Sequence, residues 1–527
     1  MATAQAKLPD LTKPTLGYKS FQDRKTEELF FVFVEPLGGG AKEAARLLEE
    51  KLKSHEYEYE INNIEVSNII AQEAKSAKLP QNDFLFFRNH GISPSQRAKH
   101  IFELQEWGNE LRKLHGNDFL AKQIIRNIAK FRREHGFEQA DDSSVKIPKS
   151  VRVAHIVRSL KHEAELELLK AVYGNMLIVV AVSGTYDQHL LNHIPNASTT
   201  SDKENRKNEF DILYKIDQYD GKKYGQRVRK IFFKANIFLK NDLSSIKSEL
   251  NRFLRLLFDL EVYSPSHHER MMYEAFSAGL MSTCLSRQVG AAISNREQEL
   301  VSTGWNGVPR FGGGLATDAN GIENSALCKT KGHCNSNKKI NELVTELYTK
   351  LIKDGLLLKK TNKYDFKEAI LDTSISSLIE FSRAIHAEME AIISASRNGK
   401  SCLREANIFV TTYPCENCVK HILAAGISSV IFIEPYPKSR AKDFFSEFIA
   451  DPNCTETAPD EHKKLQFIQF VGIAPISFPI LYEATERKDE NGVLIRHSDK
   501  PMPKLRSYLD SYTLYEQQIA SELINED

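Results

Sequence analysis

Apolar positions along this chain fall into two kinds of pattern. Uninterrupted apolar runs occur at Leu29-Phe-Phe-Val-Phe-Val34 and Met176-Leu-Ile-Val-Val-Ala-Val182, and a mostly apolar one at residues 151–157. Runs of this length without polar alternation predict strands buried on both faces. Helical spacing appears between them: Ala44, Leu47, Leu48 and Leu52 share one face, and residues 163–171 and 244–259 are similarly amphipathic. Strands alternating with helices predict a mostly parallel, doubly wound α/β sheet. The polar stretch 196–208 reads as a loop, and 97–133 as basic helix. That basic stretch is a solvated face or, in the other reading, a nucleotide or RNA contact.

The second half carries a different order. A helix ends near residues 282–293, Asn295-Arg-Glu-Gln is turn-forming, and residues 300–309 read as a strand running into a loop, an arrangement expected to make a hairpin before the helix at 382–395. Residues 311–316 and 320–339 are rich in glycine and asparagine and predict a long loop, followed by a helix over 339–353. Helices over 382–395 and 415–425 alternate with strands at 408–412, 430–434 and 467–471. Gly426 stands where a helix stop is expected. The turn-rich Ser264-Pro-Ser-His-His marks a junction, so the chain divides into a loose tail (1–25), a first domain (26–262), a second domain (263–485) and a charged, exposed C-terminal extension (486–527).

The 527 residues agree with more than one domain. Basic and acidic residues nearly cancel, 71 against 70, which excludes a global pull toward nucleic acid or anionic membrane. The N-terminus lacks an apolar core, and no apolar run approaches the ~20 residues of a membrane helix. Seven cysteines in so long a chain point to a reducing compartment and metal ligation rather than disulfides. The expectation is a soluble, cytoplasmic protein.

Chemistry concentrates at Arg383-Ala-Ile-His386-Ala-Glu388 and Pro414-Cys415-Glu-Asn-Cys418. A catalytic zinc needs three protein ligands and one open position. His386, Cys415 and Cys418 supply the three, and Glu388 is left to move protons. H-x-E followed by P-C-x-x-C is the pattern of zinc-dependent nucleobase deaminases. In that chemistry Glu388 takes a proton from an activated water, gives it to a ring nitrogen, and then protonates the departing ammonia. A structural zinc would close with a fourth Cys or His. Helical positions two apart do not face one another, so His386 and Glu388 are expected in a helix's first turn.

A second motif follows the first strand. Gly38-Gly39-Gly40 and Lys42 precede a helix, as in a phosphate-binding loop. Glu35 replaces the first glycine of that motif and Glu43 its hydroxyl. Nucleotide binding and a glycine turn kept for the fold are both open; hydrolysis is disfavoured.

The motifs Cys284-x-x-Arg287-x-Val-Gly-Ala, Thr-Gly304-Trp-Asn306-Gly-x-Pro, His-Ala-Glu and Pro-Cys-x-x-Cys, in that order, resemble the deoxycytidylate deaminases. The resemblance implies a three-layer α/β/α domain with a mixed five-stranded sheet. It implies that Asn306 contacts the substrate sugar, that Arg287 reaches the phosphate and that Tyr413 shapes the pocket rim. Residues 155–169 and 225–239 resemble P-loop nucleoside monophosphate kinase-like domains. The whole chain is similar to bacterial two-domain antiphage deaminases that deplete dCMP and dCTP. That similarity implies a regulatory first domain and nucleotide, an inhibitory small RNA, and a homo-oligomer. Cys284, Cys328, His333 and Cys334 are expected either as a second, structural zinc site or as loop residues without metal. The competing readings are a housekeeping dCMP deaminase, a polynucleotide editor and a nucleotide or RNA sensor.

Overall fold

The computed structural model describes residues 25–135, 138–139, 147–148, 151–184, 186–193, 200–318, 321–358, 360–399, 402–436, 439–450, 464–483, 486–495 and 501–526. The chain forms two compact units. One combines Met1–Ser264 with Gly472–Asp527, and the other is Pro265–Val471.

In the first unit the leading apolar run is strand β1 (Leu29–Val34), with every residue buried. Helix α1 (Ala41–Leu52) follows, then β2 (Glu60–Glu65), α2 (Gln96–His115), α3 (Phe119–Glu134), β3 (Val153–Arg158) and α4 (Glu163–Tyr173). β4 (Leu177–Ser183), α5 (Thr200–Gln218), β5 (Ile237–Lys240) and α6 (Leu243–Leu257) complete the main run. The five strands are parallel in the order β5-β4-β1-β3-β2. Strand alternation sends Phe31 and Phe33 into one core with Ala44, Leu48, Ile246 and Phe253. Phe30 faces the other way, stacked on His155 at 4.9 Å and Tyr173 at 3.9 Å. Helices therefore cover both faces. β1 has β3 on one side and β4 on the other, which opens a crevice at the carboxyl ends of these strands.

Two expectations are corrected here, and one strand lies outside the sequence pattern. β2 escapes the hydrophobic pattern because it is an edge strand with Ile64 its one buried residue. Residues 200–208 are not loop but the first half of α5; the rest of that predicted loop, 196–199, lies outside the described residues. α5 is anchored further along, by buried Phe210 and Leu213 and by the Glu209 carboxylate, which accepts from the N–H and hydroxyl of Ser95 at 2.8 Å each. The basic helices are also not simply solvated. Arg112 is buried against Glu165 at 2.7 Å, and Arg132 is buried too.

The second unit starts with α7 (His267–Gly279), then the hairpin β6 (Gly290–Ser294) and β7 (Leu300–Trp305). α8 (Asn335–Lys353), α9 (Ala387–Arg397), β8 (Asn407–Thr412), α10 (Glu416–Ala424), β9 (Ser429–Glu434) and β10 (Gln466–Gln469) follow. The sheet order is β10-β9-β8-β6-β7, with β8, β9 and β10 parallel and β6 antiparallel to both neighbours. This is the mixed five-stranded sheet expected. Ile408 and Val410 pack with Ala387, Ala391, Val419 and Ile422 on one face. Phe409, on the opposite face, meets the rings of His267 and His268 at 5.6 and 5.4 Å. The predicted long loop contains a short helix, Ile322–Ala326, and α8 starts at Asn335 rather than at residue 339. A further helix, Lys363–Leu371, lies in the polar connector.

After β10 the chain returns to the first unit. Strand β11 (Gly472–Ile473) pairs antiparallel with β5, and helix α11 (Leu509–Glu526) buries Tyr512, Thr513 and Glu516. The C-terminal segment is thus no exposed extension. A buried guanidinium needs carboxylate partners, and Arg132 finds them in Glu28 at 2.6 Å and in Glu516. Among the described residues, no helix is long and apolar enough to cross a membrane.

Candidate active site

Two helix starts bring the metal-type ligands together. His386 is the N-cap of α9 and Cys415 the N-cap of α10, both in extended conformation. His386 therefore stands outside the helix while Glu388 occupies its first turn, which lets two residues of one short motif reach the same space. Sγ of Cys415 lies 3.4 Å and Sγ of Cys418 3.3 Å from Nδ1 of His386. These three ligand atoms lie within 4.8 Å of one another, and they form the one such group among the described residues. Two thiols and an imidazole are the donor set that zinc favours, and three ligands leave a position open. The residues fit a catalytic zinc.

Charge in the site follows from contacts. Hydrogen bonds with Cys418 and His386 outweigh burial and pull Cys415 down to about 4, with the α10 dipole acting in the same direction. The hydrogen bond with Cys415 lifts His386 to about 9. Glu388 is 4% exposed, and burial raises its carboxyl above the usual range, with His386 partly opposing. A buried, raised carboxyl suits a group that must both accept and return a proton.

Close packing holds these helices in place. A Cβ on Gly304 of β7 would sit 2.4 Å from both the Ala387 carbonyl oxygen and the Ala391 nitrogen. Glycine is thus what lets α9 lie directly on the strand. The Ser302 hydroxyl donates to the Ala391 carbonyl at 2.8 Å. Gly307 and Ile385 exchange backbone hydrogen bonds of 3.2 and 2.9 Å, tying the loop after β7 to the residue before His386. On the sheet's other face Gly290 admits α7, since a Cβ there would lie 1.8 Å from the Ala275 carbonyl.

The site opens into a cavity of about 340 Å³ whose wall includes His386, Glu388, Cys415, Asn306, Arg287, Arg383 and Tyr436. The profile of the family described as "Cytidine and deoxycytidylate deaminase zinc-binding region" matches residues 265–434. The deoxycytidylate deaminase of Enterobacteria phage T2 is 31% identical over 166 residues, covering 32% of this chain and 79% of the relative. The chain belongs to the cytidine and deoxycytidylate deaminase family. It is a hydrolytic deaminase acting on a C–N bond. Among solved structures, the dCMP deaminase of cyanophage S-TIM5 covers 39% of this chain and all of its own at 15% identity, with a TM-score of 0.21. Shikimate kinase from Acinetobacter baumannii covers 46% of this chain and 99% of its own at 12% identity, with a TM-score of 0.20.

Within this deaminase the other predicted residues have separate fates. Asn306 lines the cavity, but its amide braces the neighbouring turn: Oδ1 accepts the Val289 N–H at 2.9 Å and Nδ2 donates to the Arg287 carbonyl at 2.8 Å. Arg287 is paired with Glu434 at 3.2 Å and lies over the Tyr436 ring. Tyr413 reaches the cavity wall, yet its ring stacks on Phe467 at 4.7 Å. Cys284, Cys328 and Cys334 all line the cavity, whereas His333 Nδ1 is bonded to the Lys331 carbonyl. Among the described residues these four do not gather at ligand distance, which favours loop residues without metal over a second zinc site. Burial would raise Cys334, but N–H groups of the first turn of α8 and the Ser286 hydroxyl hold it below the usual thiol range. Arg383 and Tyr436 were missed as cavity residues. Their signal was present, because both stand beside the metal motifs in the sequence.

The glycine loop of the first unit is filled from within. Glu35 Oε2 accepts the Ala41 N–H at 2.6 Å, at the start of α1, where an anion would bind. Lys161 donates to the Glu35 carbonyl at 3.1 Å and pairs with Asp217 at 2.8 Å. A Cβ on Gly38 would lie 2.5 Å from the His189 carbonyl oxygen, and one on Gly40 2.3 Å from Asn241 Oδ1. Lys42 is exposed. These contacts favour the reading in which the glycines serve the fold.

Proposed function

We propose that this deaminase converts deoxycytidine nucleotides, dCMP or dCTP, to the uracil forms at the His386–Cys415–Cys418 site. The observation that carries the reading is buried Glu388 sharing one nucleotide-sized cavity with the three ligand atoms. The deoxycytidylate deaminase relative supplies the substrate class. A zinc ion held by His386, Cys415 and Cys418 supplies Lewis acidity that lowers the pKa of water toward ~7. Glu388 takes one proton from the attacking water and delivers it to N3 of the ring. It then moves the second proton to the amino nitrogen as the C4–N4 bond breaks. The water oxygen ends on C4, and ammonia leaves. Asn306, with its amide already braced, borders the sugar.

The first unit, in this proposal, is a P-loop-like regulatory domain. Its strand order and the glycine loop after the central strand support that reading, and nucleotide binding at Gly38–Gly40 and Lys42 requires Glu35 to give way. The antiphage resemblance supports nucleotide depletion as the physiological role, in the cytoplasm, with an inhibitory RNA and self-association as controls. A polynucleotide editor would instead need a basic channel with aromatic stacking platforms. Incubation with dCMP, dCTP and single-stranded DNA, following ammonia and uracil, decides between them. Activity on DNA alone overturns the nucleotide reading, and a rate that no nucleotide changes overturns regulation through the loop.

A further inference from the structure

Two guanidinium groups line the active-site cavity, and their charges are in different states. Arg287 is neutralised by Glu434 and rests over Tyr436. Arg383 donates Nη1–H to the Ala326 carbonyl at 2.9 Å, and among the described residues no carboxylate pairs with it. A carbonyl acceptor leaves its full positive charge on the wall. Ser336 lines the same cavity, and α8 begins there with Asn335, adding the positive end of a 19-residue helix. The charge on this wall is complementary to an anion held beside the catalytic centre.

We propose that Arg383 is the residue that binds the 5′-phosphate of the substrate and selects nucleotide over nucleoside, while Arg287 serves as a fixed part of the wall. This rests on the deaminase reading of the same site. A guanidinium makes charge-assisted, often bidentate hydrogen bonds to phosphate, and Arg383 has N–H groups beyond the one used on Ala326. The paired Arg287 would have to surrender Glu434 to do the same.

The test compares deamination of dCMP, dCTP and deoxycytidine by the wild type, Arg383→Gln, Arg383→Lys and Arg287→Gln. Gln at 383 keeps a donor for the Ala326 carbonyl and removes the charge. The preference for dCMP over deoxycytidine in kcat/KM is expected to fall roughly 10–100-fold in R383Q, mainly through KM. Partial recovery is expected in R383K, and a smaller loss in R287Q. Equal losses on nucleotide and nucleoside in R383Q would mark a structural role and overturn the proposal, as would an unchanged preference. Calorimetry of dCMP and deoxycytidine binding to the zinc-loaded Glu388→Gln variant, with Arg383 intact, provides a separate readout. A wild type that deaminates none of the three sinks the activity reading, while equal affinity for dCMP and deoxycytidine sinks the role of Arg383.

Discussion

Gly304 and Ala391 approach so closely that a single added carbon on residue 304 would lie 2.4 Å from the Ala391 nitrogen. No side-chain rotation relieves this, because the obstacle is helix backbone. Gly304→Ala is expected to displace α9 and with it His386 and Glu388. Overpacking of this kind costs about 1–3 kcal/mol, which is roughly 2–4 °C in midpoint per kcal/mol for a unit of this size. Thermal melting together with turnover measures it. Full activity at an unchanged midpoint would show that the strand and helix do not need this contact.

Glu388 and the three ligands separate by function. Glu388→Gln keeps the volume and removes the proton carrier, so kcat is expected to fall about 10²–10⁴-fold while bound zinc stays near one per chain. Cys418→Ser or chelation is expected to remove both metal and activity. Metal analysis of each variant distinguishes them, and a Glu388→Gln enzyme of normal rate would exclude Glu388 from the chemistry.

Acid should destabilise the first unit through His155. Burial holds its folded pKa at about 3, with Glu28 opposing and Arg132 assisting. The unfolded value is ~6.5, so the unfolded chain binds the proton first. Stability is therefore independent of this group above about pH 6.5 and declines as pH falls from there toward 3. His189, held at about 4 by burial, adds a decline of the same sign. Burial would raise Glu28, but the charge and hydrogen bonds of Arg132 outweigh it and pull the carboxyl below its ordinary value, so its share is lost only at lower pH. Denaturant midpoints measured from pH 8 to 4 check this. A slope in His155→Gln as steep as in the wild type would remove His155 from the account.

The glycine loop offers a test that needs no nucleotide. Gly40 has φ 92° and would place a Cβ 2.3 Å from Asn241 Oδ1. Gly40→Ala is expected to lower the stability of the nucleotide-free protein by at least about 1 kcal/mol. Were the glycine there only for the approach of a phosphate, the nucleotide-free protein would melt unchanged.

The sequence by itself determined the continuous buried strands, the junction near residue 264, the hairpin before the metal helix and the ligand triple. Each rests on local chemistry: an apolar run must be buried, and a histidine with two spaced cysteines has few uses besides metal. What only the tertiary structure decided depends on partners distant in the chain. The polar edge strand β2 is held by its ladder with β3, and Glu516 is buried because Arg132, on another helix, requires a carboxylate. Glu35 fills the anion position of its own loop through the Ala41 N–H. The cavity wall shows the same dependence. Arg287 and Arg383 are equivalent cations in the sequence, and Glu434 neutralises the first while the second meets only a carbonyl.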